Sequence, residues 1–155
     1  MTPTRSAAPR TAKPDPSLAQ QAHRCVVQTA TMLIDDFEQM LRPSQLTGAQ
    51  YNVLRILRGA EPDGLCRNEI RDRMLTRMPD MTRLLDRMEQ AGLVARARER
   101  EDRRMVATRL TRTGRQLLAD LDDAAAAELQ RRFRRLGATQ LRTLIDLLDV
   151  VREAP

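Results

Sequence analysis

Met81-Thr-Arg-Leu-Leu-Asp-Arg-Met-Glu-Gln-Ala-Gly-Leu-Val94 is the stretch whose reading decides the fold. Met81, Leu84, Leu85 and Met88 recur at spacings of three and four, which makes one apolar stripe of an α-helix. Asp80, Thr82, Arg83, Asp86, Arg87 and Gln90 fall on the other face. Gly92 stops the helix, because glycine tolerates the left-handed conformation with which helices end. Pro79 fits the first helical position, where its missing N–H costs nothing. Just upstream, Arg67 to Met74 reads as a short helix with Ile70 and Met74 on one side, and Leu75-Thr76-Arg77 as a turn. Just downstream the period changes. Residues 93–98 and 105–110 alternate roughly as strands do, and Glu99 to Arg104 between them are all charged, so the pair forms a hairpin with a solvated tip. Two short helices, a tight turn and a charged hairpin predict a winged helix-turn-helix.

The flanks read as helices. From Ser17 to Leu41 apolar residues keep helical spacing, and Pro43 ends the run. Thr47 and Gln50 form a capping box for a helix carrying Tyr51, Leu54 and Leu57. It stops near Gly59, where Glu61-Pro62-Asp63-Gly64 is turn chemistry. Thr111 caps a long alanine-rich helix to about Leu136, in which Asp120, Asp122 and Asp123 look solvated. After Gly137 the last helix carries Leu141, Leu144, Ile145, Leu148 and Val151 on one stripe. Residues 1–15 lack an apolar period and read as a disordered tail, either solvated or brushing phosphates. The expected fold class is mainly α with a small β-hairpin wing: a winged helix-turn-helix lobe over about 47–111 plus a helical dimerisation region. The dimerisation helices span about 17–41, 112–136 and 138–152 of a single domain, 16–152.

Charge points to the partner. The 155 residues carry a net charge of +6, and Lys13 is the only lysine. Residues 67–115 hold fourteen arginines and eight acids, so this segment accounts for the whole excess. A basic helix-turn-helix and wing favour a polyanion, nucleic acid ahead of a membrane surface. Arginine's planar fork can take two acceptors on guanine in the major groove. Thr82 can reach phosphate or a thymine methyl, and free N–H groups near Pro79 favour a phosphate. The same charges can instead form a solvated face with local ion pairs, Arg83 with Asp80 or Asp86. Scarce aromatics argue against single-stranded nucleic acid. No nucleophile elbow, phosphate loop, paired-carboxylate set or metal-ligand spacing appears, so neither an enzyme nor a cofactor or metal is expected. No run is long enough to span a membrane and no signal-peptide core is seen, so a cytoplasmic location is expected.

The chain resembles the MarR (multiple antibiotic resistance regulator) transcription factors. The matching residues are Leu46-Thr47-Gly-Ala-Gln-Tyr51-Asn-Val-Leu, the Met81–Val94 stretch, Arg98 with Asp102-Arg-Arg104, and Arg109-Leu-Thr-Arg-Thr-Gly114. Their order runs over about 70 residues. The resemblance implies a homodimer bound to a pseudo-palindromic double-stranded operator, with a small-molecule effector as a further partner. It implies a repressor that the effector releases. It implies DNA contacts from Arg77, Pro79, Asp80, Thr82, Arg83, Arg87, Arg98, Asp102, Arg103 and Arg104. In the family's wing, an aspartate holds an arginine that enters the minor groove; Asp102 and Arg104 match, with Arg103 between them on phosphate. Some relatives sense organic hydroperoxides with a cysteine in the first helix. Cys25 stands near that place, but the tyrosines that assist such thiols are missing, and a reduced, partly buried packing role is expected instead. A redox regulator working through Cys25 and a low-specificity architectural DNA-binding protein are the alternatives.

Overall fold

A computed structural model describes residues 16–98 and 106–153 of the protein. Its elements follow in order: α1 (Pro16–Leu41), a short 3-10 turn (Arg42–Ser44), α2 (Gly48–Arg58), β1 (Leu65–Cys66), α3 (Arg67–Arg73), α4 (Met81–Gln90), β2 (Val94–Arg98), β3 (Val106–Leu110), α5 (Arg112–Phe133) and α6 (Ala138–Glu153). By packing, the chain divides into two units, residues up to Asp35 and residues from Asp36 onward. In the first unit α1 is exposed along almost its whole described length, with Leu18, Val26, Val27, Met32 and Ile34 open to solvent.

The second unit holds the core. Leu41, Val53, Leu54, Leu57, Ile70, Leu85, Met88, Val94 and Leu118 are buried almost completely. Burying a side chain of this size contributes roughly 1.5–3 kcal/mol. The capping box at α2 forms as expected: the Gln50 N–H donates to Thr47 Oγ1 at 3.2 Å, and the Thr47 N–H donates to Gln50 Oε1 at 2.9 Å. Helix α2 is fastened to α5 by Arg58, whose guanidinium donates to both oxygens of Asp122 at 2.7 and 2.9 Å. Asp122 is therefore not the solvated acid that its alanine-rich surroundings suggest. Its partner lies 64 residues away, out of reach of any local pattern.

The wing strands form as expected, with Val94 opposite Leu110 and Arg98 opposite Val106. The sheet has a third member, however. The two residues of β1 pair antiparallel with β3, Leu65 opposite Thr108 and Cys66 opposite Ala107, giving the order β1-β3-β2. Two residues are too few to show alternation, so β1 has no signature in the sequence. Helix α5 ends at Phe133, a turn short of the expected Leu136. Among the described residues no helix is long and apolar enough to cross a membrane.

Gly92 and Gly114 together place the wing against the helices. Gly92 has φ +69° and closes α4: the Leu93 N–H donates back to the Met88 carbonyl and the Gly92 N–H to that of Glu89, each at 2.9 Å. This double bond pattern satisfies carbonyls that the helix end leaves open. Gly114 lies in the first turn of α5, where a Cβ would sit 2.1 Å from the Leu93 carbonyl oxygen. Thr111 caps the same turn, accepting from the Gly114 N–H at 3.0 Å and donating to the Gly92 carbonyl at 2.6 Å.

Candidate nucleic-acid interface

Helix α4 has two unlike faces. Met81, Leu84, Leu85 and Met88 are at most 5% exposed and pack into the core. Thr82, Arg83, Arg87 and Gln90 are exposed on the opposite side. The helix begins one residue after Asp80, whose carboxylate accepts the Arg83 N–H at 3.0 Å. Pro79 is therefore not the first helical residue. It stands two positions earlier, in the turn, because the cap needs a side-chain acceptor that proline lacks and aspartate supplies. The Arg83 N–H is accordingly satisfied, and a carboxylate occupies the place where the sequence suggested a phosphate. Arg77, Pro79 and Asp80 are all exposed in this turn.

The charges on α4 are sorted by partner. Arg96 on β2 reaches back to both acids of the helix, with Nη2 2.6 Å from Asp86 Oδ1 and 2.6 Å from Glu89 Oε2. Its backbone N–H also donates to Glu89 Oε1 at 3.1 Å. The Arg96 guanidinium holds the Glu89 carboxyl below the usual glutamate range. Asp86 is thus engaged by the wing strand rather than by Arg83. Among the described residues, neither Arg77, Arg83 nor Arg87 forms an ion pair; Arg87 Nε instead donates to the Arg83 carbonyl at 3.4 Å. Asp86 and Glu89 are both turned to Arg96, which leaves the exposed guanidinium groups of Arg83 and Arg87 without a carboxylate among the described residues. Such side chains offer donors to an anion.

Three residues that shape this surface were not legible in the sequence. Arg67, the first residue of α3, donates from Nη1 to Thr82 Oγ1 at 3.1 Å. Asn52 on α2 accepts the Leu75 N–H at 2.9 Å and so pins the turn between α3 and α4. Arg96 joins wing and helix. Each bond spans elements that only the fold brings together, although Arg96 stands near enough to Glu89 for a hairpin-to-helix pair to be sought.

The remaining candidates fall elsewhere. Asp102, Arg103 and Arg104 lie outside the described residues; Arg98 closes β2 and pairs through its backbone with Val106. Cys25 is exposed in the chain, not partly buried as expected, because the stretch of α1 that carries it belongs to the unit before Asp36 and has almost no buried residue. Cys66 is half-buried ahead of α3, and its N–H donates to Glu69 Oε2 at 2.7 Å.

Two helices at a pinned turn, one with a buried stripe and an exposed cationic face, and a three-stranded sheet behind them define a winged helix-turn-helix protein. The model of the MarR family matches residues 44–105. A solved MarR transcription factor from Planctomyces limnophilus is 36% identical, covers 84% of this chain and 95% of its own, and superposes with a TM-score of 0.65. The chain belongs to the MarR family. The HTH-type transcriptional regulator TtmR of Methylorubrum extorquens is 36% identical over 77% of this chain, which spans 61% of that relative's length. The transcriptional repressor CouR, solved bound to a 23-mer DNA duplex, is 26% identical, covers 92% of this chain and all of its own, and has a TM-score of 0.77.

Proposed function

We propose that this protein is a sequence-specific, double-stranded-DNA-binding transcriptional repressor that acts as a homodimer on a pseudo-palindromic operator. The observation that carries the proposal is the exposed face of α4, where Arg83 and Arg87 have no carboxylate partner among the described residues while Asp86 and Glu89 are held by Arg96. A helix of this kind suits the major groove, where arginine reads guanine. The likeness to a repressor solved with DNA supports the same reading.

The homodimer is supported within each unit separately. On α6, Ile145, Leu147, Val150 and Val151 are 55–67% exposed, and no residue of that helix is buried. On α1, Val26, Val27 and Ile34 are also open. Apolar stripes of this extent are rare on monomers. The family resemblance extends the proposal to release by a small-molecule effector, to a cytoplasmic location, and to minor-groove contact by the wing. In the wing Arg104 would enter the groove, Asp102 would hold it, Arg103 would lie near a phosphate, and Arg98 would be a further DNA contact.

Selection of duplexes from a random pool, followed by competition in a mobility-shift assay, tests the proposal. The expected result is a pair of related half-sites in opposite orientation, poorly competed by scrambled DNA. Equal competition by scrambled DNA would point to an architectural protein, and no shift at all to a winged helix that serves another partner.

A further inference from the structure

Arg67 and Thr82 come from different helices and meet at 3.1 Å. Both side chains are exposed. In this bond the threonine oxygen accepts, so its own proton remains free to donate. Arg67 uses one of its five N–H donors here, which leaves four in a planar fork. Among the described residues Arg67 has no carboxylate partner. The nearby acid Glu69 is turned to the Cys66 N–H, and Asp86 is taken by Arg96. The pair therefore presents the remaining guanidinium donors, the threonine O–H and a whole positive charge. The complement of such a surface is a negatively charged group made of acceptors, which a backbone phosphate is, whereas the acceptor edge of guanine carries no charge.

We propose that Arg67 and Thr82 form a clamp for one DNA backbone phosphate in each half-site, and that Arg67 also positions α4 by fixing the Thr82 hydroxyl. The clamp rests on the DNA-binding function proposed above and adds Arg67 on α3 to a surface otherwise drawn from α4 and the wing. Because it grips phosphate, it fixes the depth and register of α4 and carries no base preference. Thr82 thereby serves as a backbone contact and does not read a thymine methyl.

The test uses the full chain and two labelled duplexes: one selected by the protein from a random pool, the other its scrambled counterpart. Binding is followed across a series of salt concentrations for Arg67→Ala, Arg67→Lys, Thr82→Val and the double variant Arg67→Ala/Thr82→Val. Both residues are exposed, and unchanged circular dichroism and melting would establish that the variants fold. Arg67→Ala is expected to weaken binding to both duplexes by about tenfold, and to lower the slope of log affinity against log salt by about one per half-site. Arg67→Lys should keep the slope and lose part of the affinity, because the charge remains and the fork does not. The double variant should lose less than the product of the single losses, since each single change already opens the clamp. Wild-type affinity and slope in Arg67→Ala, or strictly multiplicative losses, would overturn the clamp while leaving DNA binding intact. Failure of the wild-type protein to bind any duplex would overturn the DNA-binding proposal, and the clamp with it.

Discussion

Gly114 carries no methyl group, and its place in the fold has no room for one. Gly114 admits the Leu93 carbonyl to a place where a Cβ would lie 2.1 Å from it, and the obstacle is backbone that cannot rotate away. Gly114→Ala is expected to destabilise the protein by about 2 kcal/mol or more, as overpacking against a fixed neighbour does. A melt in urea would show it as a lower midpoint. Thr111→Ala should cost about 1–2 kcal/mol through loss of the cap, without steric strain. On the functional side, Arg83→Ala or Arg87→Ala should leave the melt unchanged, because neither side chain forms an ion pair among the described residues. Whichever arginine reads a base should cost about 1–3 kcal/mol of operator binding and relax specificity at one position of each half-site. Equal binding by both variants, measured by anisotropy on selected DNA, would contradict the assignment of α4.

Among the elements, Arg96 has the most to coordinate. It ties β2 to α4 through Glu89 and Asp86. Arg96→Met should preserve most of the stem's packing, yet loosen the wing and add two unmasked negative charges to the proposed interface. The expected outcome is weaker binding to every duplex and faster amide exchange at β2, the latter measurable without DNA. Acid should act on the same links. Glu61, Glu89 and Asp122 are held below the usual carboxylate range, each chiefly by a hydrogen bond from arginine: Arg115, Arg96 and Arg58. A carboxyl with a depressed value in the folded state stabilises that state above its unfolded value. The contribution is lost as pH falls through the folded one. Stability should therefore be level around neutrality and decline as pH drops through and below the ordinary carboxylate range, whereas a rise in melting temperature on acidification would contradict the pairing.

The elements also show what local sequence can carry. The stripe Met81, Leu84, Leu85, Met88, the Thr47–Gln50 box and the Gly92 stop are written within one or two turns of chain, and all three form as expected. What escaped depends on partners distant in sequence or on a contest between neighbours. Strand β1 is two residues long and exists only because β3 returns beside it. Asp122 looks solvated until the fold brings Arg58 to it. Pro79 and Asp80 both suit a helix start, and the aspartate takes the cap because it can accept the Arg83 N–H. Within the candidate site, the exposed arginines of α4 were legible from helical spacing. The bonds that silence Asp86 and orient Thr82 were not, since both come from other elements.

For the whole molecule, the proposed assembly is two chains presenting two cationic helices to one duplex, and the exposed apolar residues of α6 and of α1 and the excess charge of residues 67–115 support it. A two-fold axis would place the helices on the same side of DNA, with half-sites about one helical turn apart. Sedimentation at micromolar concentration should give a dimer, and introducing charge on the α6 stripe, as in Val150→Glu, should shift it toward monomer. The most direct test of the central claim is protection of guanine N7 from dimethyl sulfate on a duplex selected by the protein. N7 is the major-groove acceptor to which arginine would donate. Two protected patches about one helical turn apart, one guanine in each losing protection in Arg83→Ala or Arg87→Ala, are expected. A stable complex in which every guanine N7 stays reactive would contradict the claim that α4 reads the major groove.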